Sequence, residues 1–180
     1  MATRASDGFA CARCAGCCTG TVVPLNGADL RRLVRKTGLA ADRIVRLYDS
    51  SEVEFESDSP LWIRMRYGAR VLGLRAQRDM RCMFLDEHGL CSVYDARPAT
   101  CRTFPFMVEL DDDGSLAENE MTSRLDCPAA RIGVVLPEDV LHAARRETAD
   151  DRAYAARLRA LEGGDGLSGK HELLAGLGLA

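Results

Sequence analysis

The sequence has only two lysines, three histidines and one tryptophan among its 180 residues, and its apolar runs are short. No stretch reaches the roughly 18 apolar residues that read as a membrane-spanning helix. The first residues lack the apolar segment of a secretory signal. A net charge of −3 offers no basic excess to a nucleic-acid backbone. These absences predict a cytoplasmic protein with no membrane span and no nucleic-acid partner.

Motifs for catalysis and nucleotide binding are also missing. The sequence contains no glycine-rich phosphate loop, no evident pair of catalytic carboxylates and no Ser-His-Asp arrangement. None of the three histidines has a companion suited to acid–base chemistry. His88, within "DEHG", is predicted to be an exposed turn residue. The sequence therefore leaves open whether the protein is an enzyme.

Cysteine, in contrast, is abundant and clustered. Four of the eight cysteines fall in "FACARCAGCCTG", residues 9–20, with the spacing C-x2-C-x2-C-C. In a reducing compartment such a set indicates metal binding or catalysis rather than disulfides. A gap of two residues lets a tight turn aim two sulfurs at one ion. We therefore expect a metal site.

The cysteine pattern does not decide whether the metal is zinc or iron, since four-thiolate sites suit both. The run C-x2-C-x2-C, and the later Cys127-Pro128, resemble the cluster-binding pattern of bacterial ferredoxins, which favours iron or an iron–sulfur cluster. Arg13, Arg81 and Arg102 each adjoin a cysteine, where a guanidinium offsets thiolate charge.

The adjacent pair Cys17-Cys18 bears on the number of ions. Neighbouring side chains tend to point in different directions, so we expect the two thiolates to serve two ions or to bridge a binuclear centre. Eight cysteines suffice for two four-sulfur sites. A single site with spare thiols also satisfies the sequence.

Periodicity predicts the α+β class: a small irregular domain with short helices and a small antiparallel sheet organised around a cysteine metal cluster, plus a C-terminal helix. A first helix is expected from Gly27 to Lys36 and a second within "LAADRIVRLYDS". Strands are expected in "LWIRMRY" and "RVLGLRA", and a hairpin in "CMFLDEHGLCSVY". Asp95 is expected to cap a short helix in "DARPATCRTF".

The C-terminal part reads as one long helix from Pro137 to Leu161, followed by a glycine-rich tail. The tail is interpreted as loosely attached or as a partner contact. We predict a cysteine-cluster metal-binding domain over 1–136 and a C-terminal helical extension and tail over 137–180.

The motifs together carry a family resemblance. "CARCAGCC", "CMFLDEHGLCSVYDARPATCRTFPF" and "DCP", in that order, resemble the YkgJ-like cysteine-cluster family (CxxCxxCC), described as a zinc- or iron-chelating domain. The resemblance covers roughly residues 9 to 128. It implies chelation by all eight cysteines: Cys11, Cys14, Cys17, Cys18, Cys82, Cys91, Cys101 and Cys127. Related domains occur in flagellin lysine N-methylases, and some members are labelled iron–sulfur oxidoreductases.

Three hypotheses of function follow. The leading one is a cysteine-rich protein whose partner is a metal ion, zinc or iron, the latter also as an iron–sulfur cluster. The second is an iron–sulfur redox or group-transfer enzyme. The third is an interaction module with structural zinc, whose C-terminal helix binds a protein partner that the sequence does not identify.

Overall fold

The computed structural model describes residues 11–53, 55, 58–122, 127, 136–162 and 164–180. Within these residues the chain forms five α-helices and two antiparallel sheets, which confirms the predicted α+β class. The helices are α1 (Gly27–Thr37), α2 (Ala41–Ile44), α3 (Ala99–Thr103), α4 (Glu138–Leu161) and α5 (Lys170–Gly176). The strands are β1 (Val45–Tyr48), β2 (Trp62–Met65), β3 (Gly68–Leu74), β4 (Phe106–Leu110) and β5 (Leu116–Met121).

Helix α1 begins and ends where its sequence predicts. The Asn26 side chain accepts a hydrogen bond from the Asp29 backbone N–H at 2.9 Å and caps the helix. Gly38 follows the last turn in the left-handed conformation, with φ 69°. Leu30 and Leu33 are fully buried on one face. Local signals therefore determine this element.

The second predicted helix is wrong beyond Ile44. Helix α2 ends there, and the chain continues as strand β1. Strand β1 pairs antiparallel with β3, with Val45 opposite Leu74 and Tyr48 opposite Val71. The ladder satisfies backbone groups that a longer helix would have satisfied internally, so a distant partner overrides the local helical pattern.

Strand β3 also positions the first cysteine cluster. It lies between β1 and β2, and residues just after the cysteines dock against it. The Leu25 N–H donates to the Leu72 carbonyl, and the Leu74 N–H donates to the Val23 carbonyl, both at 2.8 Å. A Cβ on Gly73 would stand 2.9 Å from the Tyr48 ring, so this crossing requires glycine.

The second sheet contains a strand that the sequence does not predict. β4 and β5 pair antiparallel, with Phe106 opposite Met121. Most of β5 is exposed and polar, so it lacks the alternation by which a half-buried strand is recognised. The acidic turn between the two strands, residues 111–113, is exposed.

The C-terminal helices pack into the core. Helix α4 buries Tyr154 and Leu158, and α5 buries Leu173 and Leu174. Between them, Leu167 is buried as well. The interpretation of the tail as loosely attached is therefore wrong, although the domain boundary at residue 136 stays a prediction. Among the described helices, none has the length and apolar character needed to cross a membrane.

Candidate metal site

All eight cysteines line one cavity. Its volume is about 70 Å³, well below the roughly 300–1,000 Å³ of pockets that take organic ligands. Every cysteine is a free thiol. The lining thiols come from the N-terminal loop, the central turn, α3 and a last position beyond β5: Cys11, Cys14, Cys17, Cys18, Cys82, Cys91, Cys101 and Cys127. The fold thus joins segments that lie far apart in sequence.

The N-terminal loop folds tightly around its thiols. Arg13 and Ala15 adopt left-handed backbone conformations, with φ 53° and 61°, which cost energy in residues other than glycine. The Arg13 N–H donates to the Cys11 sulfur at 3.4 Å. The Cys82 N–H donates to the Cys18 carbonyl at 2.7 Å and attaches the loop to the central turn.

The segment predicted to form a hairpin, residues 82–94, is a tight turn flanked by very short paired segments. Among the described residues it has one bridge, between Leu85 and Cys91. The Asp86 carboxylate accepts the backbone N–H of His88 at 2.9 Å and so shapes the turn. The His88 side chain is 76% exposed, and it does not line the cavity. The turn reverses the direction of the chain, so that Cys82 and Cys91 both line the cavity.

Three arginines hold the segment that follows the turn. Arg32 and Arg102 both donate to the Arg97 carbonyl, at 2.9 and 3.1 Å. Arg102 also donates to the Asp95 carbonyl. The Arg97 guanidinium lies over the Tyr94 ring, 3.7 Å from its centroid. Two hydrogen bonds to its carbonyl and the contact of its guanidinium with the Tyr94 ring therefore fix the position of Arg97 beside the cavity.

Helix α3, which carries Cys101, is capped by a residue distant in sequence. The Ala99 N–H donates to the Asp29 carboxylate at 3.0 Å, and Asp29 is only 2% exposed. Burial raises the pKa of Asp29, and the Arg32 guanidinium opposes the shift. The predicted cap by Asp95 is wrong, because no cap hydrogen bond comes from a side chain next to α3 in sequence.

Asp29 thus positions α3 beside the cavity, a role that the sequence pattern did not indicate. Its position three residues after the cap Asn26 resembles a capping box. In that motif the side chain would return to its own helix start. Here the carboxylate points to α3, a partner that the local pattern does not reveal.

The central thiols share a common electrostatic environment. Burial raises the pKa of Cys82 and Cys91, and backbone N–H groups of Phe84 and Val93, each two residues further on, oppose the shift. Arg97 also lowers the pKa of Cys91. Hydrogen bonds and positive charge of this kind stabilise thiolates, the form that binds metals.

The expectation that Cys17 and Cys18 point apart is wrong. Their sulfurs lie 4.0 Å apart, close to the roughly 3.8 Å that separates two sulfurs on a tetrahedral zinc with bonds of about 2.3 Å. The contact with Cys18, followed by burial, raises the pKa of Cys17, and Arg97 opposes the shift. The short turn at Gly16–Cys18 brings the two side chains together.

The thiols surround the cavity without closing on one point. In the ranges that the structure describes, no three Cys, His, Asp or Glu side chains form a group arranged to hold a metal ion. The donor set nevertheless fits zinc or iron: free thiols, amide hydrogen bonds to sulfur and a fixed guanidinium.

The fold and the cavity define a small α+β protein built around clustered, reduced cysteines. The comparison with protein families agrees. Residues 10–128 match the model of the family CxxCxxCC, described as "Putative zinc- or iron-chelating domain". The chain belongs to this family. Searches of curated proteins and of solved structures give no match.

Proposed function

We propose that the protein binds zinc or iron through its eight cysteines, and that the metal is part of its folded structure. The observation that carries the proposal is the convergence of eight free thiols from distant segments on one small cavity. Seven of these cysteines are partly buried and Cys14 is exposed, so close packing of a core does not explain why they gather around one space. Metal ligation supplies a reason, because ligands that converge only in the folded chain link metal binding to folding.

The test is anaerobic purification followed by metal analysis and a visible spectrum. The expected result is bound zinc or iron at a fixed ratio to the chain. That ratio should fall when Cys91 or Cys101 is replaced by serine. A colourless protein with zinc assigns that metal, whereas iron with acid-labile sulfide assigns a cluster. A reduced, folded chain that binds neither metal contradicts the proposal.

Iron–sulfur redox chemistry is a second candidate. It is supported by the hydrogen bond from the Arg13 N–H to the Cys11 sulfur at 3.4 Å, since such bonds tune the reduction potential of a cluster. This candidate requires a brown protein whose visible absorbance bleaches on reduction. A spectrum without such absorbance in anaerobically prepared protein would exclude it.

The interaction-module hypothesis places a protein partner on the C-terminal helix, α4. The apolar residues Tyr154 and Leu158 of this helix are buried in the core. Truncation after Leu136 would therefore remove part of the core as well as any binding surface. A partner, if one binds α4, contacts its charged outer face.

A further inference from the structure

The Tyr94 ring contacts two guanidiniums beside the cavity. The central carbon of the Arg97 guanidinium lies 3.7 Å from the ring centroid, and that of Arg13 lies 4.8 Å from it. Both distances fall within the roughly 6 Å at which a cation is attracted to an aromatic face. Arg97 belongs to the same segment as Tyr94, whereas Arg13 comes from the N-terminal loop. The ring therefore connects this loop to the segment that follows the central turn.

One half of the contact is fixed by helices. The Arg97 Nε donates to the Tyr94 carbonyl at 2.9 Å. Arg32 of α1 and Arg102 of α3 both donate to the Arg97 carbonyl. The position of Tyr94 and Arg97 is therefore set by α1 and α3, and the pair forms a prepared surface for the guanidinium of the loop.

The other half belongs to the part of the loop that precedes its backbone attachments. Residues 18–20 are joined to residues 80–82 by backbone hydrogen bonds and a bridge. Cys11 and Cys14 come before these attachments, and Arg13 lies between the two thiols. Arg13 is exposed and has a left-handed backbone conformation, which costs energy in a residue other than glycine. A ring that binds its guanidinium offsets this cost and holds the loop.

The contact also brings positive charge to the thiols. Arg13 and Arg97 both line the cavity together with the eight cysteines. Four thiolates around one zinc ion leave a net charge of about −2, which guanidiniums beside the sulfurs offset. Two guanidiniums on one ring repel each other, and a negatively charged site beside them reduces this repulsion. We therefore expect the contact to be stronger around bound metal than in the metal-free chain.

We propose that Tyr94 is a positioning residue that closes the N-terminal loop over the cavity: its ring holds Arg13 and so keeps Cys11 and Cys14 at the bound metal. This role of Tyr94 rests on the proposed metal-binding function and goes beyond it, because it names a residue outside the ligand set that controls how fast metal leaves. Without the ring, the exposed end of the loop opens and a competing ligand reaches the metal.

The test measures zinc release from the full, reduced chain loaded with zinc alone. Excess EDTA should remove zinc about three- to tenfold faster from Tyr94→Leu than from the parent, because the attraction between ring and cation is lost. Tyr94→Phe keeps the ring and should stay within about twofold of the parent. Arg13→Gln should behave like Tyr94→Leu. Arg78→Gln, at an exposed position outside the cavity lining, is the control for lost charge and should behave like the parent.

A double variant tests whether the two residues act through one contact. Tyr94→Leu combined with Arg13→Gln should release zinc no faster than the faster single variant, since both changes break the same contact. Rates that multiply, equal acceleration in Tyr94→Phe and Tyr94→Leu, or unchanged rates in both single variants would overturn the role of Tyr94. If Tyr94→Leu does not fold, Arg13→Gln decides the result against Arg78→Gln, because Arg13 is exposed.

A second readout does not require metal. Cys11 is half-buried and Cys14 is exposed, so Cys14 serves as an internal reference for opening of the loop. In the metal-free, reduced chain, iodoacetamide should alkylate Cys11 faster relative to Cys14 in Tyr94→Leu than in Tyr94→Phe, as read by mass spectrometry of the peptides. An equal ratio in the two variants would contradict closure by Tyr94. A parent chain that binds neither zinc nor iron would instead contradict the proposed function, and the alkylation ratio would then decide the role of Tyr94.

Discussion

Asp29 shows how a single side chain connects the elements around the cavity. Its carboxylate is buried and accepts hydrogen bonds from the Ala99 N–H and the Arg32 guanidinium. Arg32 in turn donates to the Arg97 carbonyl. One residue of α1 thus sets the positions of Cys101 on α3 and of Arg97 beside the thiols. A change at Asp29 leaves buried donors without an acceptor.

We expect Asp29→Ala to lower the free energy of unfolding by about 2–4 kcal/mol, because a buried charged hydrogen-bond network loses its acceptor. Asp29→Asn keeps one acceptor oxygen and should cost less. Urea unfolding of the metal-loaded protein measures both. Asp42→Ala, at an exposed position, serves as the control and should change stability by about 0.5 kcal/mol or less. Equal losses for Asp29→Ala and Asp42→Ala would contradict this role.

At the scale of elements, the segment before α5 is fixed by backbone contacts with β2. Gly166 has φ 74°, and a Cβ there would stand 2.8 Å from the Arg64 carbonyl oxygen. The Leu167 N–H donates to the same carbonyl at 3.0 Å, and the Arg66 N–H donates to the Leu167 carbonyl at 2.9 Å. This close approach brings Leu167 into the core.

Gly166→Ala should therefore destabilise the protein by about 2–4 kcal/mol, through left-handed strain of about 1–2 kcal/mol and a backbone clash. Gly178→Ala has the same kind of φ, 71°, without a neighbour within 4 Å, so it measures the strain alone. Gly164→Ala has neither problem, since Gly164 has no left-handed φ and no neighbour within 4 Å, and it should be nearly neutral. Denaturant unfolding of the three variants gives the comparison, and a Gly166 effect no larger than that of Gly178 would contradict the clash.

Helix α4 carries two partly buried carboxyl groups. Glu147 accepts from the Thr100 hydroxyl of α3, and Asp151 accepts from the Asn26 side chain at the start of α1. Burial raises the pKa of Glu147 to about 7, although the Thr100 hydroxyl opposes the shift. Burial also raises the pKa of Asp151 to about 6. The folded state therefore holds these protons more tightly than the unfolded chain. Their contribution to the free energy of unfolding is complete at pH values below the ordinary pKa of a carboxyl group. It is lost as the pH rises towards 7.

Glu147→Gln should remove this loss, because the amide is neutral and its oxygen still accepts from Thr100. The variant should be more stable than the parent by about 1–2 kcal/mol at pH 8 and nearly equal to it at pH 5. Urea unfolding at several pH values checks the difference, with Glu138→Gln at an 89% exposed position on α4 as the control. A stability difference that does not change with pH would contradict the assignment.

For the whole molecule, the cysteine cavity brings together three parts of the chain that are distant in sequence: the N-terminal loop, the central turn and α3. The N-terminal loop reaches the central turn through the bridge between Thr19 and Arg81 and through the Cys82 N–H. The Gly20 N–H also donates to the Met80 carbonyl at 3.0 Å, and the Arg13 guanidinium lies over the Tyr94 ring beside the cavity. Metal bound there would act as a cross-link among the loop, the turn and α3.

Removal of metal by a chelator under reducing conditions should therefore lower the thermal unfolding midpoint. The stabilisation lost is roughly 3–4 kcal/mol when the metal was present at a hundred to a thousand times its dissociation constant. Zinc or iron added back should restore the midpoint, whereas magnesium should not, because it prefers oxygen ligands. An unchanged midpoint in the stripped protein would contradict a structural role for the metal.

The sequence by itself determined the elements that carry their own signals. The Asn26 cap and Gly38 set α1, Pro137 and the charged first turn set α4, and alternating residues set β2 and β3. The cysteine spacing likewise led to the family and to zinc or iron. These features depend on short-range geometry. Because neighbouring residues determine that geometry, the features can be predicted from the sequence alone.

Only the tertiary structure decided the rest. Strand β1 replaces a predicted helix because β3 offers it a hydrogen-bonding partner, and α5 enters the core because Leu167 docks on β2. The cap on α3 comes from Asp29, 70 residues away, and the Cys17 and Cys18 sulfurs face each other instead of diverging. Each of these depends on which distant groups meet in the folded chain, and no periodicity or spacing within one segment encodes that.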